Sequence, residues 1–233
     1  TKRLTERFMP AKTYLITGAS SGIGAQFARS YAARGCNLVL VARRLDRLEA
    51  LAAELREQHG IEVLPFAADL GKRESVHKLL VYLKLVGISP DGLVNNAGYS
   101  LAHTFAATTA QQQLDFIEVC VTTPTLLARE LLAHMLEQGF GRIINVSSMV
   151  AFSPGASGHT LYPAAKSYML KFSRSLAAEV APYQLAGFPI RMAVATVSGC
   201  SMGWPSTMGA APAAWNPSIR GNRVDLSASL YSR

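Results

Sequence analysis

The chain has 233 residues, 49% of them hydrophobic and 16% charged, which suits one domain with a sizeable core and excludes a disordered composition. A net charge of +8 raises nucleic acid as a partner, but no basic stripe or aromatic-interleaved motif accompanies it, so an anionic small ligand and a basic surface are the expectation. No apolar run reaches the roughly 20 residues of a spanning helix, and Thr1–Pro10 is polar and basic, so neither a membrane nor a secretory address is expected.

In chain order, short apolar runs alternate with segments of helical period. Thr13–Thr17 reads as a strand and Ile23–Arg34 as a helix. Asn37–Ala42 is apolar throughout, the pattern of a strand buried on both faces. Leu45–His59 spaces its leucines by threes and fours and is stopped by Gly60. Glu62–Ala67, Gly92–Asn95, Arg142–Ser147 and Ile190–Val197 read as strands. Glu74–Val86, Gln111–Gln138 and Leu161–Tyr183 read as helices, the second irregular near Pro124. This alternation predicts an α/β fold: a doubly wound, Rossmann-type parallel sheet with helices on both faces. The domain is expected over 1–198. The tail 199–233 is rich in small residues and Pro, shows no clear period and is expected to be irregular, with the last strand of the sheet missing.

Thr17-Gly18-Ala19-Ser20-Ser21-Gly22-Ile23-Gly24 lies between the first strand and its helix. Glycines there allow a tight turn and close backbone approach to a pyrophosphate, and the helix N-terminus offers N–H groups and partial positive charge. The second strand ends in Ala42, Arg43 and Arg44 instead of an acidic residue. An acid would bind the ribose 2′-hydroxyl of NAD; a guanidinium pairs with a 2′-phosphate. NADP(H) is therefore the expected cofactor, with Arg43 the stronger candidate. Farther on, Ser147-Ser148 ends a strand, and Tyr162 and Lys166 lie one turn apart at the start of a helix. A lysine ammonium there would stabilise a phenolate and suit the tyrosine to proton transfer at neutral pH.

Together these residues resemble the short-chain dehydrogenase/reductase family, single-domain type, over about residues 11–190. The resemblance gives Gly18, Ser20, Ser21, Gly22, Ile23 and Gly24 to the cofactor loop, Asp69 and Leu70 to the adenine, and Asn96, Ala97 and Gly98 of the Asn95–Gly98 motif to the sheet and cofactor. It gives Ser148, Tyr162 and Lys166 the catalytic roles: Ser148 holds the substrate oxygen, Tyr162 passes the proton, and Lys166 binds the nicotinamide ribose and lowers the tyrosine pKa. It implies a carbonyl/alcohol oxidoreductase and a homodimer or homotetramer assembled through the long helices. Leu101, Phe105, Met149, Val150 and Phe152 suggest a fairly apolar substrate.

Two features depart from the family. Cys120 stands where it has an asparagine that positions the lysine and a relay water, and the tail does not resemble its substrate-covering segment. They favour the other reading, a nucleotide-binding protein of this fold with little catalysis. Cys36, Cys120 and Cys200 make no metal spacing or disulfide framework, and the scattered histidines add none; no metal is expected, and a reduced, cytoplasmic protein is.

Overall fold

The computed structural model describes residues 11–155, 157–185 and 190–197. Its elements run β1 Thr13–Thr17, α1 Gly22–Ala32, β2 Asn37–Ala42, α2 Leu45–His59, β3 Val63–Ala67, α3 Arg73–Leu85, β4 Gly92–Asn95, α4 Ala110–Ile117, α5 Thr123–Glu137, β5 Gly141–Ser148, α6 Leu161–Leu185 and β6 Ile190–Val197. Short 3-10 turns, Phe105–Ala107 and Met149–Phe152, precede α4 and follow β5. The strands form one parallel sheet in the order β3-β2-β1-β4-β5-β6. The order reverses between β1 and β4, so the crevice beyond their carboxyl ends is where such a sheet binds its ligand.

Alternation along the central strands divides the core. Ile16, Leu38 and Leu40 point into one layer with Phe27, Leu48 and Leu55 of α1 and α2. Leu15, Val39 and Val41 point into the other with Leu79 of α3, Leu127 of α5 and Leu176 of α6. Both faces of β2 are thus covered, which is why its sequence carries no polar alternation. No helix among the described residues is long and apolar enough to cross a membrane.

The long helix expected over 111–138 is a composite. Thr109 and Gln112 close a capping box at the start of α4, then Glu118–Thr122 widens into a π turn before α5. Pro124 supplies the reason: it has no N–H to return to the carbonyl of Cys120, so the ladder loosens one turn upstream of it. Cys120 lies inside that widened turn and is buried. Any last strand after residue 198, the division of the chain there, the tail 199–233 and Cys200 lie outside the described residues.

A buried polar chain ties the layers. Asn95 Nδ2 donates to Asn145 Oδ1 at 2.8 Å and to the carbonyl of Pro124 at 3.2 Å. Asn145 Nδ2 donates to Ser173 Oγ at 2.8 Å, and Ser173 Oγ to the Met169 carbonyl at 2.6 Å. β4, β5, α5 and α6 are thereby locked in register at the switch point.

Candidate active site

The glycine loop is shaped by what glycine lacks. Gly18 has a φ of 67°, and a Cβ there would meet Asn96 Nδ2 at 2.8 Å. A Cβ on Gly24 would come within 2.3 Å of the Gly18 carbonyl oxygen and 2.6 Å of Asn96 Nδ2, so α1 crosses the loop in contact with its backbone. The Asn95–Gly98 motif fixes this crossing. Asn96 Nδ2 donates to the carbonyls of Thr17 and Gly18 at 3.0 and 3.3 Å. Thr17 Oγ1 accepts the N–H groups of Asn96 and Ala97, each at 3.0 Å, and donates to the Val94 carbonyl. The Ser21 side chain does not cap α1, so the positive end of that helix is not closed off by its own N-cap.

Both arginines after β2 are exposed and border the cleft. Arg44 carries the direct contacts: its Nη2 donates to Ser20 Oγ and Ser21 Oγ, each at 3.0 Å, bridging the end of β2 to the glycine loop. Asp69 Oδ1 accepts the Gly71 N–H at 3.2 Å in a tight turn after β3, and the Leu70 carbonyl accepts Thr123 Oγ1 at 2.9 Å.

Ser148 ends β5, and Tyr162 and Lys166 occupy the first turns of α6. Ser148 Oγ accepts the Val150 N–H at 3.4 Å. Lys166 Nζ donates to the Val146 carbonyl at 2.9 Å and lies 5.5 Å from the Tyr162 ring centroid. Lys166 is only 7% exposed. Burial holds its pKa below the ordinary lysine value of 10.5, the Cys120 sulfur partly opposing. Burial likewise raises the Cys120 pKa, partly opposed by a backbone hydrogen bond with Tyr99 and by Lys166. The thiol is therefore neutral at physiological pH, a small packed group beneath the lysine.

The structure gathers most of the expected residues around one cleft of about 600 Å³. Gly18, Ser20, Ser21, Ile23, Arg43 and Arg44 line it together with Asp69, Leu70, Asn96, Ala97 and Gly98 and with Ser148, Tyr162 and Lys166. Gly22 and Gly24 do not border it: Gly22 turns the chain with a φ of 56°, and Gly24 admits the helix. Sequence reasoning placed Thr17 in the glycine loop but missed its side-chain hydrogen bonds, the Asn145–Ser173 link and the hydrogen bond between Ser100 and His159. The first two carried a readable sign, a polar side chain within an apolar strand; the third did not.

The Lys166 environment has a measurable consequence. Unfolded, the chain binds this proton more tightly than when folded, so native stability rises with pH from the lowered native pKa up to 10.5. Urea unfolding at several pH values should show wild type gaining stability relative to Lys166→Met across that window. A pH-independent difference would mean that the ammonium is not desolvated.

The family model described as short chain dehydrogenase matches residues 12–201. The chain is 35% identical over 182 residues to a short chain dehydrogenase of Pseudocercospora fijiensis, covering 75% of this chain and 58% of that protein, so it spans little more than half of that relative's length. Among solved structures, the bulky-bulky ketone specific alcohol dehydrogenase from Comamonas testosteroni superposes with a TM-score of 0.74 at 35% identity, over 81% of this chain and 73% of the other. A short-chain dehydrogenase from Sphingobium yanoikuyae, in complex with NADPH, gives 0.73 at 36% identity, over 79% and 70%. With a sheet, a glycine loop and a Ser–Tyr–Lys set in this arrangement, and a family match across most of its length, the chain belongs to the short chain dehydrogenase family.

Proposed function

We propose that the protein is an NADP(H)-dependent oxidoreductase that interconverts a carbonyl and an alcohol, with Tyr162 as its acid/base. The observation that carries this reading is the convergence of the glycine loop, Arg43 and Arg44 with Ser148, Tyr162 and Lys166 on one cleft. The residues fit the cofactor. Gly18, Ser20, Ser21 and Ile23 of the loop line the cleft where phosphates would lie, while the close packing at Gly18 and Gly24 holds the cradle together behind it. The cleft volume is within the usual range for ligand sites. The two guanidiniums suit a 2′-phosphate.

When bound, the nicotinamide supplies or accepts a hydride at the substrate carbon. The chain's own residues do the rest. Ser148 donates a hydrogen bond to the substrate oxygen, and Tyr162 gives that oxygen its proton in reduction and takes it in oxidation. The Lys166 ammonium beside the ring favours the phenolate. Exposed Tyr99, Phe105 and Phe152, on segments that follow β4 and β5, suit an apolar ketone, and the similar Comamonas enzyme is specific for bulky ketones. A cytoplasmic homodimer or homotetramer, and a tail 199–233 in place of the usual substrate-covering segment, belong to the same proposal.

Nucleotide titration followed by fluorescence tests it. NADPH should bind tighter than NADH. Arg43→Ala and Arg44→Ala should each weaken NADPH about tenfold, one charge-assisted hydrogen bond, and leave NADH within about twofold. Equal affinity for both nucleotides in wild type would overturn the cofactor assignment.

A further inference from the structure

Ser100 and His159 have no part in the reaction outlined above, yet they join two segments that bear on it. Ser100 follows the Asn95–Gly98 motif and borders the same cleft as Ser148, Tyr162 and Lys166. His159 stands just before α6. Its Nδ1 lies 2.9 Å from Ser100 Oγ. Its backbone carbonyl accepts the N–H of Tyr162 at 3.0 Å. One residue therefore grips the loop after β4 with its side chain and the tyrosine with its main chain.

Both ends of this connection are anchored. Tyr99, next to Ser100, sets its ring edge-on to Phe116 of α4 at 5.5 Å, and its carbonyl faces the Cys120 sulfur. The loop is thus held against α4 and the π turn. On the other side, Gly155 and Gly158 have φ values of 135° and 75°, backbone states that lead the chain into His159 and that other residues rarely adopt. The first N–H groups of a helix have no partners one turn back, so the start of α6 depends on contacts such as the His159 carbonyl for its placement. Among the described residues, the His159 ring makes its hydrogen bond through Nδ1.

We propose that Ser100 and His159 are positioning residues that hold Tyr162 in register with Ser148 and Lys166. This rests on the reading of Tyr162 as the acid/base. The bond needs a polar atom at the place of Nδ1 and no charge. An asparagine at 159 carries one at the same number of bonds from Cβ, so it can keep the strap while removing the imidazole.

The test combines phenol ionisation with kinetics. The phenolate absorbance of wild type less that of Tyr162→Phe isolates Tyr162 among the chain's tyrosines and requires no turnover. Reduction of acetophenone and ethyl acetoacetate with NADPH gives kcat and KM. Ser100→Ala and His159→Ala should each raise the Tyr162 ionisation midpoint and lower kcat about tenfold, the worth of one hydrogen bond, with KM for NADPH within about twofold. The double variant should be no worse than either single one, because both break the same link. His159→Asn should restore midpoint and kcat. An unchanged midpoint in both alanine variants, losses that multiply in the double variant, or no rescue by asparagine overturns the proposal. If neither ketone is reduced, the midpoint alone decides. Full turnover by Tyr162→Phe would instead overturn the acid–base reading, a separate outcome.

Discussion

Tyr162→Phe lowers kcat for NADPH-linked ketone reduction by about 10²–10⁴, the usual worth of a positioned proton donor, while NADPH binding stays within about twofold. That loss corresponds to about 3–5 kcal/mol of barrier. The change removes one oxygen and leaves the ring, which packs against the small cluster of Phe116, Cys120 and Ala165. Lys166 keeps its place without the phenol, because its ammonium is held by the Val146 carbonyl. The cradle is built from β1, α1 and the hydrogen bonds of Asn96 and Ala97 to Thr17 and Gly18. Binding and turnover should therefore separate in this variant. Steady-state kinetics with acetophenone and a parallel fluorescence titration check both halves. Retained turnover would mean that the proton travels by another group; lost binding would mean that Tyr162 supports the cleft instead of the chemistry.

The parts of the fold legible in the sequence are those set by local rules. β1, β2 and β4 fall where the apolar runs fall, because a strand covered on both faces has no polar alternation to blur its ends, and β6 keeps its expected bounds. α2 ends at Gly60 because the chain there needs a φ of 64°. The glycine loop and the Tyr162–Lys166 spacing are local too. What could not be read depends on partners distant in sequence. Pro124 announces an irregularity, but the π turn forms upstream of it, at Glu118–Thr122, where the missing N–H is felt. By position the sequence favours Arg43 for a 2′-phosphate; only the fold brings Arg44 onto Ser20 and Ser21. Asn145 and Ser173, or Ser100 and His159, meet only once the sheet and α6 are assembled.

Gly24→Ala should weaken NADPH binding at least about 100-fold and lower the thermal midpoint, although alanine favours a helix over glycine by about 1 kcal/mol. The new methyl would stand 2.3 Å from the Gly18 carbonyl oxygen and 2.6 Å from Asn96 Nδ2. Neither can retreat. Gly18 is held by its N–H to the Val41 carbonyl at 2.8 Å, and Asn96 by its N–H to Thr17 Oγ1 at 3.0 Å. The helix must move off the loop, and overpacking of this kind costs about 1–3 kcal/mol or more. Gly35→Ala separates this from ordinary glycine strain. Gly35 has a φ of 73° and nothing within 4 Å of a built Cβ, and it lies in the turn after α1, outside the cleft. It should lose about 1 kcal/mol of stability to backbone conformation and bind NADPH as wild type does. Calorimetry and nucleotide titration on the two variants decide the matter. Equal binding by Gly24→Ala and wild type would show that α1 can shift without opening the cradle, and the close crossing would then be a packing feature of the first βαβ unit, unconnected to the phosphates.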